Sequence, residues 1–390
     1  MPFAIARWRV SPISSTARRP RETDRVMADY DIAIIGAGMA GASLAAECVP
    51  HARVLLLEAE DMPGYHTTGR SAAFWEECYG GPELVPLTLA SGAYLREHGF
   101  LTERGALYIA RRDGVASLDA FMDRFGPTGV TIKRVGRAEL EQRLPRLRPA
   151  WVEGIWQPRC SDIDVAGLHQ HYLGQARKGG AAPVCRARIS RIERAEGGWR
   201  LWSERGQSWS ARTIANAAGA WADQIAGMAG AQAVGIQPYR RTVAQLATDP
   251  PPPGDQPLVL DIGGGFYFKP DAGRVWLSPH DEEPSEPCDA APEELVVAEA
   301  IDRFEQVVDW DIRKIERKWA GLRSFSPDRL PVYGWDRERD GFFWFAGQGG
   351  YGIQTAPAAA RLGAQLLLGR ERDALTQGLD ANLYSPARFR

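Results

Sequence analysis

Apolar positions first fall into a regular pattern at residues 30–35, a run that reads as a buried strand. The glycine-rich turn Gly36-Ala37-Gly38-Met39-Ala40-Gly41 follows, then small residues through about Val49 that read as a helix, and a second apolar run over residues 53–57. Strand, turn, helix and strand make a βαβ start. Helical spacing recurs over residues 84–95, 138–144, 168–177, 292–308 and 353–368. Strand patterns occupy residues 106–111, the alternation 184–192, a hairpin over 199–202 and 209–214, a β-rich stretch 234–277 broken by the loop 250–254, and residues 313–323 and 342–346.

This order predicts an α/β chain of two domains. A nucleotide-binding domain is assembled from residues 28–78, 148–225 and 320–390. A mostly antiparallel α+β domain is inserted as residues 79–147 and 226–319. Residues 1–27 are Arg-rich and unpatterned, with Met27 just before the first strand, and are read as a disordered or mis-started tail.

Glycine supplies 41 of 390 residues, so a GxGxxG string arises by chance roughly 0.4 times in such a chain. Context makes the first one informative. It follows an apolar strand, opens a helix, and is answered 22 residues after Gly36 by Glu58, at the end of the next strand, where a ribose hydroxyl needs an acceptor. Gly36 allows the tight turn, Gly38 lets backbone approach a pyrophosphate, and Gly41 lets helix and strand pack closely. A second match, Gly347-Gln348-Gly349-Gly350-Tyr351-Gly352, has neither a following strand nor a ribose acid. It reads as a helix N-terminus that offers backbone N–H groups to negative charge.

A formal charge of −2 gives no basic field for nucleic acid. Cys48, Cys78, Cys160, Cys185 and Cys288 are scattered without metal-ligand spacing, and no run of about 20 apolar residues marks a membrane span. A cytoplasmic protein with a small-molecule partner and no metal is expected.

The motifs Gly36 to Gly41, Glu58, Thr68 to Ala73, Asp162-Ile163-Asp164, Asn216 to Trp221, Trp319 to Phe325 and Gln348 to Gln354 together resemble the D-amino-acid oxidase-like flavoproteins, over nearly all of residues 30–386. Pro63-Gly64-Tyr65-His66, Phe266 to Asp271 and the C-terminal glycines are similar to the bacterial D-arginine dehydrogenase group. The resemblance implies a Rossmann-like FAD-binding domain with an inserted substrate domain. It implies FAD held non-covalently by Gly36, Gly38, Gly41, Glu58, Arg70, Ser71, Ala72, Gly219, Gly349, Gly352, Ile353 and Gln354. It places a substrate carboxylate against Arg323, Tyr267 and Tyr79, with Arg240 as a second cation and the Gly350 carbonyl accepting from the substrate amine. The implied reaction is oxidative deamination of a D-amino acid by hydride transfer from Cα to flavin N5, giving a 2-oxo acid and ammonia.

The chain departs from the arginine-preferring pattern. Ala106 stands where relatives carry an acid, and Phe74 and Glu76 stand where they carry His and Thr. Phe74, Glu76, Ala106, Leu258 and Leu260 are taken as the side-chain pocket, which favours a neutral side chain unless Glu76 recovers a cation. The strand Arg274-Val275-Trp276-Leu277 lacks the lysine of oxidase members, so a dehydrogenase with an acceptor other than oxygen is preferred. Alternatives are oxidation of an N-methyl amino acid or a 2-hydroxy acid, and, in a different class, a flavin-binding protein without turnover. His66 is expected near the cofactor without a catalytic role, and His169 and His171 are expected to point apart.

Overall fold

Four consecutive buried residues, Ile32 to Ile35, leave the first strand, β1 (Tyr30–Ile35), no solvent face, and it lies inside a parallel sheet. The computed structural model describes residues 28–389, so the expectation for a tail over residues 1–27 falls outside the described residues. β1 is flanked in parallel by β2 (Val54–Leu57) and by Ser208–Asn216. The latter also pairs in parallel with Phe342–Ala346 and antiparallel with Gly198–Ser203, which forms the expected hairpin. Between β1 and β2 runs α1 (Met39–Cys48), whose Ala42 and Ala45 are fully buried against Ala358, Ala360, Leu168 and Ala176 of two neighbouring helices. Small side chains on α1 let these helices approach the sheet closely.

A second sheet of ten strands is built on the long hydrogen-bonded pair Gln237–Asp249 and Asp311–Phe325. Helix Glu294–Glu305 covers it, with Val297, Ala300 and Phe304 packed among Leu246, Phe268 and Leu277. Ala106–Arg111 and Trp151–Gln157 pair antiparallel in this sheet, so the chain beyond residue 148 first completes the ten-stranded sheet before returning to the parallel one. The strand Asp311–Phe325 likewise runs across residue 320. Three short strands, Phe74–Trp75, Ser161–Ile163 and Leu101–Glu103, form a small third sheet. Among the described residues no helix is long and apolar enough to cross a membrane.

The last helix starts at Ala356, not Ile353 as the spacing suggested, because residues 351–355 form turns closed by Thr355 N–H to Tyr351 O at 3.1 Å. Strands Trp151–Gln157 and Lys133–Gly136 and helices Val115–Phe125 and Ala222–Ala229 were not legible from patterning.

Glu76 is fully buried beside this framework. Burial pushes its carboxyl up to about 7, opposed by the Cys78 amide, which donates to Oε1 at 3.0 Å. Oε2 has no hydrogen-bond partner among the described residues.

Two predictions follow from packing and burial. A methyl group on Gly41 would sit 1.8 Å from the Gly36 carbonyl oxygen. Gly41→Ala is therefore expected to destabilise the protein by at least about 2 kcal/mol, read from denaturant midpoints. An unchanged midpoint would contradict the close approach. For Glu76 the folded state holds the proton more tightly than the unfolded chain. Its stabilising contribution is therefore complete below the ordinary value of 4.5 and is lost as pH rises through about 7. Glu76→Gln is expected to remove up to about 3 kcal/mol of that pH dependence, seen by comparing denaturation at about pH 5 and about pH 8. If variant and parent differ equally at both, another group carries the effect.

Candidate active site

The turn after β1 is shaped by contacts that exclude side chains. Gly36 has φ +100°, and a Cβ there would meet the Ala217 carbonyl oxygen at 2.4 Å. A Cβ on Gly38 would meet Thr68 Oγ1 at 3.2 Å, and the residue faces a cavity of about 400 Å³ between the two large sheets. The amides of Gly38 and Ala40, both on the cavity wall, have no protein acceptor among the described residues. That is the arrangement a phosphate needs at a helix N-terminus. Glu58 lines the same end, its Oε2 accepting from the Ala37 amide at 3.1 Å and its Oε1 from the Glu60 amide at 3.0 Å. Its carboxylate keeps lone pairs for a ribose hydroxyl.

The middle of the cavity is walled by Ser71, Ala72, Gly219 and Trp221. Asn216 shapes this wall by donating to Ala222 O at 2.8 Å and accepting from the Ala218 amide at 3.3 Å. Gly219 has φ +57°, with open space where a Cβ would stand. Thr68, whose Oγ1 accepts from the Met39 amide at 2.9 Å, and His169, whose Nε2 donates to Ala37 O at 2.9 Å, hold the glycine turn in shape. Their signal in the sequence was slight, since neither belongs to the turn itself. His171 faces Tyr94 and Gln175 instead, so the two histidines do point apart. His66 lies on the cavity wall, Nε2 at 3.1 Å from Glu60 Oε1 and its ring 4.7 Å from Trp221.

Arg70 lines the cavity beside Ser71 and Ala72, with most of its donors engaged by protein. Its Nε reaches Tyr65 O at 3.3 Å, its Nη1 reaches Ala290 O at 3.0 Å and Ala320 O at 3.2 Å, and its Nη2 pairs with Asp289. The guanidinium thus braces the segment around Asp289 from its place on the cavity wall. Gln354, by contrast, is not on the cavity. Buried, it donates to Glu76 O at 3.2 Å and Thr88 Oγ1 at 3.1 Å and accepts from the Glu76 amide at 3.1 Å. It clasps the C-terminal glycine turn to the segment that carries Tyr79. Gly349, Gly350, Gly352 and Ile353 do line the cavity. The amides of Gly352, Ile353 and Gln354 have no protein acceptor among the described residues.

At the far end Arg323 Nη1 donates to Tyr79 Oη at 2.6 Å, and a Cβ on Gly350 would lie 1.9 Å from that oxygen. Arg323, Tyr267 and Gly350 share the cavity wall, with Tyr79 directly behind. The expected second cation, Arg240, is not there. Its Nη1 pairs with Glu293 and its Nε lies 3.8 Å from Asp281. Arg241 takes the place, lining the cavity with Val243 and 4% exposed. Side chains alternate along a strand, so Arg240 falls on the face of Ala244 and Leu246, which pack into the helix-covered core. That alternation was the available signal, and a one-residue slip reverses it. Burial, then the neighbouring Arg323 charge, lowers the Arg241 pKa to about 10, leaving it a cation at neutral pH.

None of Phe74, Glu76, Ala106, Leu258 and Leu260 lines the cavity. Phe74, Ala106, Leu258 and Leu260 form one buried cluster with Tyr108 and Ile155, and Glu76 is sealed beneath. Phase separation of apolar side chains from the two arginines drives this closure. The Phe74 ring stands 5.7 Å from Tyr267 and backs this part of the cavity wall. No cysteine lines the cavity, and no group of three or more His, Cys, Asp or Glu that could hold a metal occurs among the described residues.

The residues present fit FAD: open amides and a ribose acceptor at one end, small residues in the middle, and free amides beside the far end. Comparison with known proteins agrees. The chain is 26% identical to the glycine oxidase of Geobacillus kaustophilus, over 88% of this chain and 94% of that one. It is 24% identical to the L-2-hydroxyglutarate dehydrogenase of Escherichia coli, over 56% of this chain and 55% of that one. The crystal structure of the Geobacillus kaustophilus glycine oxidase superposes with a TM-score of 0.80 at 23% identity, covering 93% of this chain and 99% of that one. A Rossmann-like FAD-binding domain with a substrate domain is thus the fold. The pattern of the FAD dependent oxidoreductase (DAO) family matches residues 31–366, and the chain belongs to that family, with FAD as its cofactor.

Proposed function

We propose that the protein oxidises a small, neutral D-amino acid to its 2-oxo acid and ammonia, with FAD held non-covalently and an acceptor other than oxygen taking the electrons. The observation that carries this reading is the pairing of Arg323 and Arg241 on one wall of the cavity, beside Tyr267 and the Gly350 turn. Planar guanidiniums select carboxylates. With the carboxylate there, the Gly350 carbonyl accepts from the substrate amine and the Cα hydrogen faces the middle of the cavity. FAD, when bound, supplies the acceptor for that hydride. The chain itself supplies orientation and charge, solvent takes the amine proton, and water hydrolyses the released imino acid to the 2-oxo acid and ammonia.

The closed cluster around Phe74 and Leu258 leaves little room behind the clamp and supports a short, uncharged side chain over an arginine-like one. Similarity to a glycine oxidase supports the same choice. Oxidation of a 2-hydroxy acid is the second reading. The arginines recognise only the carboxylate, and an L-2-hydroxyglutarate dehydrogenase is among the relatives.

Anaerobic bleaching of the flavin spectrum by panels of small D- and L-amino acids, N-methyl amino acids and 2-hydroxy acids tests the proposal. Small D-amino acids are expected to bleach it. Bleaching by L-amino acids or hydroxy acids alone would sink the stereochemical or the amine part, respectively. Arg323→Ala and Arg241→Met are each expected to raise KM at least tenfold, about 1.4 kcal/mol or more, through loss of a charge-assisted contact. Arg240→Met should change KM less than about twofold. Equal effects at 240 and 241 would mean the wrong face has been chosen.

A further inference from the structure

Strand register brings Arg241 to the cavity, but a long side chain with several rotamers needs a second contact to fix where its guanidinium points. That contact is Glu282, in the segment between strand Arg274–Ser278 and helix Glu294–Glu305. Arg241 Nη2 donates to Glu282 Oε1 at 2.9 Å, and no other hydrogen-bond acceptor serves this guanidinium among the described residues. Its Nε and Nη1 are buried without a partner.

Glu282 is also tied to the other side of the site. Arg329 Nη2 donates to Oε1 at 3.0 Å and to Oε2 at 2.9 Å. The Arg329 carbonyl in turn accepts from the Tyr351 hydroxyl, in the C-terminal glycine turn, and the Tyr351 ring lies 5.9 Å from Tyr79. One carboxylate therefore joins the second cation to the turn that bears Gly350.

The segment that carries Glu282 does not depend on it for attachment. Asp281 accepts from the Thr242 amide at 2.7 Å and its hydroxyl at 2.8 Å. Asp289 accepts from Tyr65 at 3.1 Å and pairs with Arg70, and Glu293 pairs with Arg240. Glu282 is thus redundant for holding the segment and singular for holding Arg241.

We propose that Glu282 is a positioning residue for carboxylate recognition, fixing Arg241 so that its unpartnered donors serve the ligand and not some other buried acceptor. This rests on the carboxylate-clamp reading above.

Titration of the FAD-loaded protein with pyruvate, followed by the flavin absorbance change, tests it. Glu282→Ala is expected to weaken pyruvate binding about tenfold, the size of one lost charged hydrogen bond. Glu282→Gln keeps one acceptor oxygen but faces Arg329 with an NH₂ group, and is expected to fall between. Glu293→Gln, which loosens the segment without touching Arg241, is expected to bind pyruvate like the parent. In turnover the Glu282 variants raise KM while kcat stays within about twofold. Pyruvate affinity within twofold of the parent in Glu282→Ala overturns the inference, and if that variant does not fold, the same result in Glu282→Gln does so. Equal weakening by Glu293→Gln also overturns it, since the effect would then belong to the segment. If Arg241→Met and Arg323→Ala weaken pyruvate and the Glu282 variants do not, only this inference fails. If those arginine variants leave affinity unchanged as well, the clamp reading itself fails.

Discussion

Two guanidiniums on one cavity wall, one buried and one half-buried, repel each other and lose much of their water, so they persist only where oriented oxygens face them. Arg323 and Arg241 are in this position, and much of this end of the cavity can be understood as the answer to it. Tyr79 accepts from Arg323, and Glu282 accepts from Arg241. The wall of Phe74 and its neighbours keeps the rest of the surroundings apolar, which strengthens attraction for an incoming anion. The pairing itself comes from register. Tyr239 stands opposite Arg323 and Arg241 opposite Gly321, so the two arginines reach the same wall from adjacent strands.

The nucleotide end obeys a different constraint, that of backbone approaching backbone. Gly36 packs on Ala217 and Gly41 on Gly36, distances that no side chain permits. That packing leaves the Gly38 and Ala40 amides facing the cavity. The second glycine turn uses the same device at the opposite end, where Gly350 fits against Tyr79 and the amides of Gly352 and Ile353 remain unpaired. One chain thus presents two sets of bare amides, separated by small residues, to one long cofactor. The arginine wall lies beyond the second set.

Much of this was legible in the sequence where a local rule is strict. The βαβ start, Glu58 and the hairpin at 199–214 follow from short-range pattern and glycine chemistry, and each lies where that pattern put it. Arg323 and Tyr267 were found through motif resemblance, and both line the cavity. Reading failed where tertiary partners decide. Arg240 and Arg241 are adjacent and chemically identical, and only the face of a strand separates them. Arg70 does line the cavity, but its bracing partners Tyr65, Ala290, Ala320 and Asp289, the last three more than 200 residues away, carry no local signal. Phe74, Leu258 and Leu260 were placed around a ligand and instead pack on one another, since apolar residues near a site satisfy themselves first. Glu282 and His169 carried no local signal, because each acts on a distant segment of chain.

The central claim is that Arg323 and Arg241 together form a carboxylate site on the cavity wall. A crystal structure of the FAD-loaded protein with a small 2-oxo acid bound tests it most directly. The account predicts the ligand carboxylate within hydrogen-bonding distance of both guanidiniums and of Tyr267, with Arg240 still paired to Glu293. A carboxylate seated elsewhere in the cavity, with Arg241 left unpartnered, would contradict it.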